Sequence, residues 1–353
     1  MTRAGKGSRV PTRRASTHRA SRPRRPLPRR LVIALLAIAG VVVLAALITV
    51  ATLITRGVQA LMLQPPGVET TIVAANDSTA ARAAADAAAS AEARAAAAYL
   101  ADQPTAYWLT PERDPIGDVW GRIAHLAEQA RDQDAALAVV VYGLPGRDCG
   151  NFSSGGLDEA DYATWTGEIG EALANARDLQ RIVVLEPDSL ALAPECGNLP
   201  DRTRQLTTAV EALSGSDAWI YLDGGHSTWH EPGTMAGIIA QTGLLDRVRG
   251  FATNVSNYNH AAAEFDYAHA VAAALGGGHA LIDTSRSGAG SGGVWCNARN
   301  RLVGEPGGTF GDEVVDTNLW IKPPGESDGS CNGGPAAGAW WPDAAIELTR
   351  DVR

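Results

Sequence analysis

Ile182-Val183-Val184-Leu185-Glu186-Pro187-Asp188-Ser189 runs from an apolar, β-branched stretch straight into a polar turn that carries two acids and a proline. β-Branched residues favour strands, and the turn sets titratable groups directly at the strand's C-terminal end. The pattern recurs in both directions along the chain. Upstream, Ala106 to Leu109 and Leu137 to Tyr142 are apolar, the latter followed closely by Arg147-Asp148-Cys149. Downstream, Trp219 to Leu222 leads into Asp223-Gly224-Gly225-His226, Gly250 to Thr253 into Asn254, and Ala280 to Ile282 into Asp283-Thr284-Ser285-Arg286. A last run, Asn318 to Ile321, leads into Lys322-Pro323-Pro324-Gly325-Glu326-Ser327-Asp328. Helix-like stretches of about 20 to 40 residues separate the runs, the alternation of a parallel α/β sheet. Seven strands are predicted, in a TIM-like barrel. In barrels of this kind the chemistry gathers where loops from several strand C-termini converge, so the polar clusters are predicted to form one site.

The 353 residues suffice for one large α/β barrel of roughly 200 to 250 residues plus a short appendage. The net charge of −9 conceals a split. Arg3 to Arg56 holds 12 Lys or Arg and no acid, which leaves 18 of the 30 basic residues and all 39 acidic ones, a charge of −21, to the rest. So acidic a body argues against a nucleic-acid partner. Cys149, Cys196, Cys296 and Cys331 all follow the N-terminal apolar segment, and an even number there fits two disulfides in an oxidising compartment.

Residues 1–30, rich in Arg, Pro, Ser and Thr, are too polar to bury a core and are expected to be a disordered basic cytoplasmic tail. Leu31 to Thr55 is free of charge for about 25 residues, enough as a helix to span roughly 37 Å and cross a bilayer with some tilt. The arginines before it place its start in the cytoplasm. A single-pass anchor in the cell membrane with an extracellular body is therefore expected. The alternative is a signal removed on export: against it, the run exceeds the roughly 7 to 15 apolar residues of a signal core, and Gln59-Ala60-Leu61-Met62 is a poor cleavage site. Residues 56–71 read as linker and 72–353 as the folded domain. Within it, Asp77 or Ser78 is expected to cap one Ala-rich helix that runs to about Ala101 and is ended by Pro104.

Four acids stand at strand ends: Asp148, Asp188, Asp223 and Asp328. Cleaving a glycosidic bond needs one carboxylic acid kept protonated for the leaving oxygen and a second group to assist the attacking water or carbon. Asp188 suits the acid, because carboxylates from neighbouring strands, Asp148 and Asp223, would disfavour its ionisation. A single loop aspartate more often caps a helix or bonds backbone amides; four after successive strands argue for chemistry. Trp108, Trp229, Trp295 and Trp320, with Tyr142 and Tyr258, offer apolar faces to sugar rings, and Asn254, Asn257, Arg286, Asn297 and Lys322 offer partners to hydroxyls. Any one tryptophan at a strand end can equally be core, Trp320 first among them. Other chemistries fit less well. Gly-His-Ser227-Thr-Trp lacks the closing glycine of a nucleophile elbow, no phosphate-binding loop is present, and His226 has no second histidine at metal-ligand spacing.

Six segments together resemble the family 6 glycoside hydrolases, which comprise endoglucanases and cellobiohydrolases: Val141 to Cys149, Leu185 to Leu190, Tyr221 to His226, Gly250 to Asn259, Trp295-Cys296-Asn297, and Leu319 to Gly329. The resemblance runs from about residue 75 to 353. It implies a distorted barrel of seven parallel strands, inverting hydrolysis of β-1,4-glucan, and neither metal nor cofactor. It implies Asp188 as the catalytic acid, Asp148 as its partner in positioning water, Asp223 as the group that raises the acid's pKa, and Asp328 as the disputed base. Tyr142 matches the tyrosine under the distorted sugar, Trp229 and Trp295 match sugar-stacking positions, and His226, Lys322 and Glu326 match sugar-binding positions. The implied disulfides are Cys149 with Cys196 and Cys296 with Cys331.

One departure concerns the mobile loop: Ser154 matches its water-holding serine, but the family's usual Asn and Glu are replaced by Gly155 and Leu157. A second concerns access. Members that work from chain ends resemble tunnels and carry a long insertion before the last cysteine, whereas here only Gly329 and Ser330 separate Asp328 from Cys331. An open cleft and cutting of internal bonds are therefore expected of a monomeric domain, with a cellobiohydrolase or a glycan-binding wall protein that has lost catalysis as the alternatives.

Overall fold

The computed structural model describes residues 28–62 and 64–353. The expected cytoplasmic tail, 1–30, lies almost wholly outside the described residues. The chain divides at Gly57 and Val58. Helix α1 (Arg29–Met62) covers the charge-free run, and its described apolar side chains stand exposed, Leu36 and Val41 each at 67%. Taken alone, the described residues hold no helix long and apolar enough to cross a membrane; the side chains of 31, 32, 34, 35 and 51–63 lie outside them.

Beyond the division the expected single Ala-rich helix is two. Ser78 caps α2 (Thr79–Ala84) by accepting from the Ala81 N–H at 3.1 Å, as expected, but the chain then turns. Asp86 accepts from the Ala88 N–H, and Ser90 caps a second helix, α3 (Ala91–Ala101). Short polar side chains that bond nearby amides compete with helix, and here they win over the propensity of alanine.

The strands and helices then alternate: β1 (Tyr107–Leu109), α4 (Val119–Asp132), β2 (Leu137–Val141), α5 (Glu159–Ala174), β3 (Arg181–Leu185), α6 (Ala193–Cys196), α7 (Leu199–Ser214), β4 (Trp219–Asp223), α8 (Pro232–Gln241), β5 (Gly250–Thr253), α9 (Ala261–Leu275), β6 (His279–Asp283), β7 (Val315–Leu319) and α10 (Pro342–Leu348). The strands form one parallel sheet in the order β1-β2-β3-β4-β5-β6-β7. β7 begins at Val315 rather than Asn318, so Trp320 and Ile321 follow the strand. The sheet curls without β7 pairing as a strand with β1; the Ala106 N–H donating to the Trp320 carbonyl at 2.9 Å links the two edges.

Side-chain alternation along the strands separates two cores. Val139 and Val141, Val183 and Leu185, and Ile220 and Leu222 pack with helix residues such as Ile123, Trp165, Ile169, Leu206 and Val271. Ala138 and Val140, Ile182 and Val184, and Tyr221 fill the concave side together with Ala252 and Leu281. Close approach of β5 to β6 requires Gly250, where a Cβ would fall 1.7 Å from the His279 carbonyl oxygen.

Candidate active site

Register and parity assemble the site. Val141 pairs with Leu185, and Leu185 with Leu222, so the C-terminal ends of β2, β3 and β4 lie level. Extending the alternation by one inward position points Tyr142 and Asp223 into the concave side. The chain then breaks from strand geometry: Asp148, Cys149, Glu186 and Asp188 have φ of 54, 51, 51 and 67°. Non-glycine residues in this region store on the order of 1–3 kcal/mol each and gather where a side chain must be aimed against local preference.

A cleft of about 830 Å³ results, with Asp148, Asp188 and Asp328 on it. Asp188 is pushed well above the usual carboxylate range by burial first and then by the negative charges of Asp148, Asp223 and Asp328, with Lys322 opposing. The Asp188 N–H and the Gly225 N–H donate to Asp223 Oδ2, at 3.0 and 3.2 Å. Burial pushes Asp223 itself up to about 7. Asp148 accepts from the Tyr142 hydroxyl at 2.6 Å and is raised by burial, against the bonds and cations that surround it.

Asp328 is held differently. Arg286, itself buried against the Tyr258 ring at 3.9 Å, donates Nη1 to Oδ1 at 2.8 Å and to Oδ2 at 3.1 Å, while the Tyr258 hydroxyl and the Asn297 N–H each reach Oδ2 at 2.9 Å. These four hydrogen bonds fix the orientation of its carboxylate at the edge of the cleft.

The walls carry the aromatic and polar residues expected for sugars. Trp108 meets Tyr142 edge-on at 5.2 Å, with Lys322 Nζ 5.5 Å from the Trp108 ring. Burial lowers the Lys322 pKa. His226 is pushed down to about 4 by burial and the nearby His230, hence neutral, and it packs on Trp229 at 5.4 Å. Glu326 accepts from Thr79 Oγ1 at 2.7 Å, so α2 steadies a residue of the cleft. Ser154 and Trp295 also line the cleft. The predicted disulfides are both present, Cys149–Cys196 and Cys296–Cys331.

Not every predicted residue reaches the cleft. Asp223 lies behind Asp188, 2% exposed. Asn254 is fully buried, donating to the carbonyls of Asp283 and Asn259 and accepting from the Asn259 N–H, so its amide is spent on the scaffold. Asn297 and Arg286 serve Asp328 and its loop rather than solvent. Trp320, only 2% exposed, is core. At the departing loop, Leu157 packs into the outer core, and the space beside Gly155 is taken by the Arg147–Glu112 ion pair, with both partners 2.9 Å from where a Cβ would be.

Sequence reasoning passed over Glu186 and Phe152. Glu186 is fully buried, accepts from the Gly143 N–H at 3.0 Å and is pushed up to about 7 by burial; its place two residues before Asp188 was a usable signal. Phe152 lines the cleft, and an aromatic residue in an otherwise Gly/Ser/Asn loop was another.

The family model for glycosyl hydrolases family 6 matches residues 68–352. The chain is 40% identical to endoglucanase A of Cellulomonas fimi over 262 residues, covering 72% of this chain and 56% of that one, so it spans little more than half the length of that relative. It is 39% identical to endoglucanase 1 of Streptomyces sp. (strain KSM-9) over 257 residues, covering 70% of each. Among solved structures, the endoglucanase Cel6 from Mycobacterium tuberculosis, in complex with a thio-linked cellobioside derivative, superposes with a TM-score of 0.71 at 34% identity, covering 79% of this chain and 96% of that one. Matched over most of its length, with the expected acids gathered at the ends of parallel strands, the chain belongs to the glycosyl hydrolases of family 6.

Proposed function

We propose that the chain hydrolyses internal β-1,4 bonds of glucan with inversion, as an endoglucanase. The observation that carries this reading is Asp188, held protonated by burial and by three neighbouring carboxylates on the floor of a cleft walled by Trp108, Trp229 and Trp295. Asp188 gives its proton to the glycosidic oxygen. As it becomes anionic, Lys322 offsets part of the charge. Asp328, held in place by Arg286, Tyr258 and Asn297, faces the sugar as it gains positive charge. The attacking water then passes its proton toward Asp148, which Tyr142 positions. Trp229 and Trp295 stack the sugars on either side of the cut. Release of reducing ends from soluble β-glucan, lost in Asp188→Asn with oligosaccharide binding retained, tests the assignment; binding without release by the native chain would favour a glycan-binding protein.

α1 is the membrane anchor in this reading. Its exposed Leu36, Val41 and Leu44 have no place in water, and the basic residues before it favour the cytoplasmic side. The catalytic domain then works outside the cell.

A further inference from the structure

The short link between Asp328 and Cys331 predicts an open cleft, yet a different loop reaches across it. Residues 146–157, after β2, carry Phe152 to the far wall. There its side chain lies against Gly329, where a Cβ would come within 2.4 Å of Phe152 Cβ and 2.9 Å of Cγ. Its ring centroid is 6.2 Å from that of Trp295, at 44°. Gly329 follows Asp328 directly, and Trp295 belongs to the loop after β6, so one aromatic side chain joins the β2 side of the site to its β6 and β7 side beside the acids. Phe152 and Trp295 stay 51% and 53% exposed. The contact is therefore narrow, apolar and unsupported from above. The loop's base is fixed, by the Cys149–Cys196 disulfide and by Arg147, whose Nε donates to the Ser153 carbonyl at 2.8 Å and whose N–H donates to the Gly155 carbonyl at 3.2 Å. Its tip is flanked by Gly150 and Gly155, both at positive φ.

We propose that Phe152 is a specificity-determining residue that discriminates by the length of the glucan: the Phe152 bridge must part to admit the interior of a polymer sideways, whereas a short oligosaccharide enters beneath it. This rests on the endoglucanase reading. A polymer interior has no end to thread, so every capture of an internal bond includes the separation of Phe152 from Gly329 and Trp295. A short chain bound under the closed bridge gains the ring as an extra wall. Truncating the ring therefore helps the long substrate and gives the short one nothing.

The test compares kcat/KM on carboxymethylcellulose, followed by loss of viscosity, with kcat/KM on cellotetraose, for the native chain, Phe152→Ala and Phe152→Leu. The expected result is a several-fold rise on the polymer in Phe152→Ala with an unchanged or lower value on cellotetraose, Phe152→Leu falling between, and all three melting alike. Equal change on both substrates, or a fall confined to the polymer, overturns the bridge. Inactivity of the native chain on both substrates would instead remove the endoglucanase reading, so the two failures are distinct.

Discussion

The backbone N–H of Asp188 donates to Oδ2 of Asp223 at 3.0 Å, so the carboxylate whose charge helps keep the acid protonated also fixes the acid's main chain. Electrostatics and geometry meet in one residue. An amide at position 223 would still accept the N–H but would carry no charge, which separates the two roles.

Asp223→Asn is expected to move the alkaline limb of the kcat profile to lower pH. Asp188 must be protonated to act, so activity falls as pH rises through its pKa. Removing a like charge that raises that pKa brings the fall earlier. Profiles of kcat against pH for both chains check it; an unmoved alkaline limb would leave Asp223 with a positioning role alone.

Asp188→Asn is expected to lower kcat by roughly 10² to 10⁴-fold, the usual worth of general acid catalysis. Calorimetric titration with cellotetraose should give nearly native affinity, since the amide keeps the shape of the acid. Native turnover in this variant would take Asp188 out of the mechanism.

Inversion predicts that the first product released from a β-glucan is the α-anomer. Proton NMR catches it before mutarotation. A β-anomer at the first time point would mean that a carboxylate, rather than water, attacks carbon.

Removal of either disulfide is expected to lower stability without preventing assembly of the sheet. Cys149–Cys196 and Cys296–Cys331 close loops with separations of 47 and 35 residues. In the chain-entropy model each contributes about 4 kcal/mol. Melting of the paired Cys→Ala variants measures it. The Cys149–Cys196 variant should also lose more activity, because that bridge anchors the loop that bears Ser154.

The full chain is expected to partition with membranes and a chain beginning at Thr71 to stay in the aqueous phase. Detection of a mature N-terminus near Ala60 would show instead that the apolar segment is removed on export.

Strand number, the order of the polar turns and the acids they carry were legible because the apolar runs lead into polar turns at the C-terminal strand ends, as Val184-Leu185 leads into Glu186 and Asp188. What was not legible depends on contacts between distant segments. Nothing in the neighbourhood of Asn254 distinguishes an amide facing sugar from one bonded to the Asp283 carbonyl across β6. The break between α2 and α3 turns on whether Asp86 bonds its own chain, which alanine-rich composition overrides on paper. Phe152 could be seen as an aromatic in a loop, but its partner Gly329 lies on the opposite wall, 177 positions along the sequence.

In the endoglucanase reading, the left-handed backbone at Asp148, Glu186 and Asp188 sets durability against turnover. Glycine adopts φ near +60° without the steric penalty, and at position 188 it would also remove a half-buried acid crowded by three others. A screen for heat resistance alone would therefore drift toward Asp188→Gly and its like, selecting robust proteins that no longer cut. Engineering for hot processes should draw its gains from the helices and the far end of the sheet, and pair every melting assay with a measurement of sugar release.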